Sequence, residues 1–312
     1  MEAEKIRDRI LERGDLKMTK EQFNTYFMPE GQAGVYFKQQ AVGNCGGLAG
    51  LHALSCCDWF EFFVRHSSGR KSEKSWELRM PFINESGRTV EISPKDFSLQ
   101  WNSSFLKKGS FRSVDPRPMI GPIKSLEGVQ ALEAAFILSN NKEATQKIKG
   151  PISGTERRMT EGIKGDDTLV LFGGELFEKC GVEANWKTES EAAREAGNYG
   201  RLSLINEECM ARLDHCLENW DSGLYLATAE LYNCGGKIKI KGVKDKIFSA
   251  HHYSVAGVDA KRKVITLGNP HDTFKLVELT FDQFKKNFTG FWAVKINSAK
   301  LLEKMKRSGK EG

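Results

Sequence analysis

The chain has 312 residues, 39% of them hydrophobic, and a net charge of +6 of which much lies in 300–312, where five basic residues face two acidic ones. Such a chain buries one large core or two modest ones, and its mixed-sign charges form no basic face of the kind that binds nucleic acid. No run is long enough to span a membrane, the first ten residues are too charged for a secretory signal, and seven cysteines without paired spacing fit reduced thiols in a cytosol rather than a disulfide or zinc framework.

In chain order, residues 1–13 read as a short charged helix with Ile6, Ile10 and Leu11 on one side. Thr19 and Gln22 have capping-box spacing and start a second helical segment. A glycine-bearing loop leads through Val35, Tyr36 and Phe37 into a helix opening at Cys45, apolar on nearly all sides and continuing to Phe63. A helix of that kind lies inside a domain and presents its N-terminus at a cleft. Residues 67–71 read as a solvated break, followed by strands over 76–83 and 88–92, a proline-bearing loop and a helix over 126–138. Residues 140–168 are polar and glycine-rich. Residues 206–220 form an amphipathic helix with Cys209, Leu213, Cys216 and Leu217 inward. Strands follow over 224–229, 238–240, 247–258, 264–268, 274–279 and 291–296, interrupted by one helix capped at Thr280 and Gln283. The fold class is therefore α+β: a helical first half and an antiparallel sheet, two lobes with a cleft between them.

Cys45 is the candidate nucleophile. Asn44 is placed to cap its helix, so the free N–H groups of the first turn favour a thiolate, and Gly46 and Gly47 leave the sulfur sterically open. A thiolate needs a base, and the base an orienting partner. His251 and His252 lie on one strand of a hairpin, and Asn269 returns within a residue or two of opposite them. Successive strand side chains face opposite ways, so only one of the two histidines meets the cleft. His52 reads as a core residue, and His66 and His215 as surface residues.

Gln39 with Cys45 six residues on, the run from Ala250 to Val255, and Gly268-Asn269-Pro270 resemble the three site motifs of papain-fold cysteine peptidases of calpain type. The resemblance covers residues 30–297, is strongest at these motifs, and selects His251, two residues before Tyr253. It implies a papain-like two-lobe core, and with the order of elements and composition the chain divides into an N-terminal helical extension over 1–30, a helical lobe over 31–168 carrying the cysteine, a β-rich lobe over 169–298 carrying histidine and asparagine, and a basic tail over 299–312. It further implies an intracellular cysteine endopeptidase acting on a protein or peptide, cytoplasmic or delivered into another cell. Cys45 then attacks, His251 moves the proton, Asn269 orients it and Gln39 donates to the oxyanion. Gly46 and His271 replace the family's two tryptophans, the second of which shields the histidine–asparagine hydrogen bond. No cofactor or metal is expected, and calcium dependence does not transfer. The same triad also serves acyl transfer, deamidation or removal of a ubiquitin-like modifier, and a catalytically weak protein-binding module is the third reading.

Overall fold

The computed structural model describes residue 5 and residues 16–28, 30, 34–37, 45–72, 75–82, 87–92, 126–140, 165–180, 187–189, 202–205, 207–221, 223–231, 237–244, 247–248 and 251–308. The helix expected over 1–13, and Gln39 and Asn44, lie outside the described residues apart from Lys5. The fold is mixed α+β. Helices α1 (Lys20–Phe27), α2 (Cys45–Ser55) and α3 (Phe60–Ser67) precede a three-stranded antiparallel sheet of β1 (Ser68–Ser72), β2 (Ser75–Met80) and β3 (Arg88–Ile92). Helices α4 (Glu127–Asn140) and α5 (Gly165–Gly173) follow, with a 3₁₀ turn leading into β4 (Phe177–Lys179). Strands β5 (Lys187–Glu189) and β6 (Leu202–Ile205) pair with each other, and α6 (Glu207–Glu218) then leads into the larger sheet. Its remaining strands are β7 (Tyr225–Leu231), β10 (His251–Asp259), β11 (Val264–Asn269), β12 (Asp272–Thr280) and β13 (Gly290–Ile296). Between β7 and β10 stands a two-strand ribbon, β8 (Lys237–Ile238) with β9 (Ile247–Phe248). Helix α7 (Phe281–Asn287) links β12 to β13, and α8 (Ser298–Ser308) follows β13. The order β12-β11-β10-β7-β13-β4 is antiparallel throughout.

Two hydrophobic clusters organise the molecule. One gathers α1 to α5, the small sheet and α8; the other gathers α6, α7 and one face of the large sheet. Helix α2 belongs to the first through Leu48, Leu51 and Leu54, each worth roughly 1.5–3 kcal/mol when fully buried. Small residues let its neighbours come close. A Cβ at Gly50 would stand 2.7 Å from the Gly165 carbonyl oxygen on α5, and one at Gly47 would stand 2.4 Å from the Phe136 ring on α4. Gly47 is therefore required by packing rather than by access to the sulfur.

Three sequence expectations are corrected. The apolar helix is not continuous to Phe63: the Ser55 hydroxyl donates to the His52 carbonyl, and Cys57 N–H reaches back only to Leu54, which tightens and ends the turn. Residues 68–72 are a strand rather than a break, with Ser67 and Ser68 fully buried and Arg70 to Ser72 exposed. The basic C-terminus is a docked amphipathic helix, since Leu301 and Met305 of α8 enter the first cluster. Helix α1 joins that core, its Phe23 and Phe27 packed on Phe60, and its expected capping box of Thr19 and Gln22 is present. Helix α5 packs on α2 as well as on the large sheet. Among the described residues no helix is long and apolar enough to cross a membrane.

If α8 is structural, Leu301→Ala should lower unfolding free energy by about 2–5 kcal/mol, while Lys306→Ala on its basic side stays within about 0.5 kcal/mol. Denaturant midpoints distinguish this from a frayed end, where neither change would register.

Candidate active site

Cys45 opens α2, half-buried, and its sulfur receives the backbone N–H groups of His252 across on β10, of Gly46 and of Cys45 itself. The first turn therefore does direct donors at the sulfur, but the expected thiolate does not follow. Burial pushes the thiol above its ordinary value, the three N–H groups pull it down, and the Glu230 carboxylate pushes it up again. Burial wins, so the resting group is a thiol.

The hairpin of β10 and β11 is set by its turn, where the Arg262 N–H donates to Asp259 Oδ1 at 2.9 Å. A bulge between Val255 and Gly257 then shifts the register by one residue, so that Ser254 pairs with Gly268. By extension Asn269 stands opposite position 253 rather than 254, one residue nearer His251. The Asn269 side chain accepts twice on Oδ1, from His271 N–H at 3.0 Å in an Asx-turn and from the His251 ring at 3.0 Å. A backbone N–H can only donate, so it fixes which end of the amide is oxygen. His251 Nε2 must therefore carry the hydrogen, and Nδ1 keeps the lone pair of a base.

His271, which stands where the family resemblance has tryptophan, covers this pair. Its ring stacks on His251 at 4.6 Å with an interplanar angle of 7°, and Phe248 packs beside both rings, 5.0 Å from His271 and 6.1 Å from His251. Lys237 Nζ sits 4.4 Å over the Phe248 ring. Tyr253 meets His251 edge-on at 5.1 Å, its hydroxyl donating to the Phe248 carbonyl. Burial first, and then His271, push the His251 pKa down to about 3, against the Asn269 bond that favours the charged ring. His271 is itself lowered, by burial and by Lys237.

His252 faces the other way, as strand alternation requires. Its Nε2 is 3.6 Å from Glu230 Oε1 on β7, and its ring lies 5.3 Å from Trp292 on β13. The structure thus brings the Cys45 thiol to the start of β10 and joins His251 to Asn269 there; among the described residues no hydrogen bond links the sulfur to the His251 ring. Gln39 lies outside the described residues, although its approach is anchored: Phe37 N–H donates to Thr273 Oγ1 at 2.9 Å, and Tyr36 packs on Phe274. Of the remaining histidines, His52 is buried in the core and His215 is exposed, while His66 is half-buried against Phe62 rather than on the surface. Sequence reasoning passed over Glu230, to which nothing local pointed, and it placed His271 at the shielding position without its stacked geometry. Among the described residues no group of three or more His, Cys, Asp or Glu is placed to hold a metal ion.

No protein-family model matches the chain, and neither does any curated protein.

Buried neutral histidines make stability depend on pH. His52 is lowered to about 4 and His251 to about 3 from an ordinary 6.5, in both cases chiefly by burial. Below about 6.5 the unfolded chain takes up protons that the folded chain refuses, so stability is full above that pH and is lost on acidification toward 4. Each histidine adds a slope of about 1.4 kcal/mol per pH unit in that window. Denaturant midpoints between pH 5 and 7 should show the slope, and His52→Leu should remove one proton's share of it. A curve identical in the variant contradicts the neutral burial of His52.

Proposed function

We propose that the chain is a cysteine peptidase of calpain-like type with a papain-like two-lobe core, working on protein or peptide substrates in the cytosol or in a cell into which it is delivered. The observation that carries this reading is Asn269 Oδ1, which holds the His251 ring with Nδ1 free as a base beside a helix-start cysteine. In the reaction the Cys45 proton passes to His251 Nδ1 as sulfur attacks the substrate carbonyl carbon. The C–S bond forms while the carbonyl electrons move to oxygen, where the Cys45 N–H and the Gln39 amide donate. One such donor is typically worth about 3 kcal/mol of transition-state stabilisation. The tetrahedral species collapses, its C–N bond breaks, and the leaving amine takes the proton from Nδ1. Water, giving a proton to Nδ1, then attacks the thioester; the C–S bond breaks, sulfur takes that proton back from Nδ1, and the acid is released.

A resting neutral thiol and neutral imidazole favour, as a second reading, a catalytically weak module that binds a protein partner. Treatment with a peptidyl epoxide separates the two. On the peptidase reading the adduct mass appears on the Cys45 peptide and not on Cys180 or Cys216, whose thiols burial pushes up to about 11 and about 12. Cys45→Ala should lose both label and peptide hydrolysis with its thermal unfolding unchanged. Gln39→Ala should lower kcat by about a hundredfold at similar KM, with Gln40→Ala close to wild type. Hydrolysis retained in Cys45→Ala removes the nucleophile assignment, and an unlabelled Cys45 in a folded protein leaves the binding module.

A further inference from the structure

One buried side chain adjoins every element that carries the site. His52 lies on α2 seven residues beyond Cys45, about two turns, and is 5% exposed. Its Nδ1 is 2.6 Å from Ser254 Oγ on β10, and the Ser254 hydroxyl donates to the Gly268 carbonyl on β11 at 3.1 Å. A hydroxyl has one hydrogen, so toward His52 it accepts, and Nδ1 carries the ring's hydrogen. Nε2 is then an acceptor, with Cys56 Sγ 3.8 Å away. The result is a one-directional chain from Cys56 through His52 and Ser254 to Gly268, each link polarising the next. Ser254 is three residues from His251, and Gly268 adjoins Asn269. The Phe37 ring, two residues before Gln39, closes on His52 edge-on at 6.0 Å.

The fit leaves little room for sliding. A Cβ at Gly268 would lie 2.5 Å from His52 Cε1 and 2.6 Å from both His52 Nδ1 and Ser254 Oγ. An apolar helix face packs in several registers at similar cost, whereas a buried polar chain is satisfied in one. We propose that His52 is a positioning residue, which through Ser254 and Gly268 fixes the register of the Cys45 helix against the strands bearing His251 and Asn269. Its effect on turnover rests on the peptidase reading; its effect on the His251 ring does not.

The test compares His52→Leu, which keeps apolar packing and removes both hydrogen bonds, with His52→Asn, which returns an N–H donor near the place of Nδ1. Two quantities are read in each: the ¹⁵N-coupled Nε2–H resonance of His251, held by Asn269, and the rate constant for Cys45 alkylation by iodoacetamide at neutral pH. His52→Leu should stay folded by circular dichroism, lose the protected His251 resonance and slow alkylation by about tenfold to a hundredfold; His52→Asn should recover most of both. A folded His52→Leu variant with the wild-type resonance and rate overturns the proposal. If His52→Leu does not fold, Ser254→Ala, which removes only the middle oxygen, carries the same expectation and the same overturning result. Equal alkylation of wild type and His251→Ala sinks the peptidase reading alone, and the His251 resonance then decides the role of His52 by itself.

Discussion

The site depends on where α2 can lie. The helix packs into the first hydrophobic cluster on one flank, where Gly47 and Gly50 let α4 and α5 close on it, and meets the large sheet on the other, where Gly268 lets β11 close on His52. That position delivers Cys45 to the N–H of His252 and sets the thiol at the end of β10 where His251 stands. Helix and strand make one unit. A one-residue slip in β10 would exchange His251 for His252 beside the thiol and remove the ring that Asn269 holds.

The same burial governs the chemistry. It holds the thiol up and the imidazole down, so neither partner is charged at rest. On the proposed peptidase reading, charge separation then has to be supported as it forms, by the N–H groups aimed at the sulfur and by Asn269 accepting from the imidazolium. His271 contributes in two ways, covering the ring and pinning the Asn269 amide through its backbone N–H. A tryptophan at that position gives the cover, and any non-proline residue gives the N–H.

Much of this was legible in the sequence wherever a local rule decides the outcome. The two capping boxes, the inward face of α6 and the strands around His251 and Asn269 follow from periodicity and turn chemistry, and the structure has them. What escaped is what tertiary contact decides. The polar run from Ser68 to Ser72 becomes a strand because β2 offers it a partner, and α8 is held by Leu301 and Met305, which charge counting overlooked. A capped helix start predicts a thiolate only when burial is small; here desolvation outweighs three donors. The placement of His52 in the core was readable from the apolar helix around it, but its tie to Ser254 and Gly268 needed the bulged hairpin register.

The central claim is that His251, and not His252, is the base for Cys45. The pH dependence of Cys45 alkylation by iodoacetamide in wild type, His251→Ala and His252→Ala tests it most directly. Loss of His251 should slow alkylation at neutral pH by about tenfold or more and leave the rate climbing only with the alkaline ionisation of a buried thiol. Loss of His252 should leave the profile close to wild type. Reactivity that survives in His251→Ala and disappears in His252→Ala contradicts the account and moves the base to the Glu230 side of the strand.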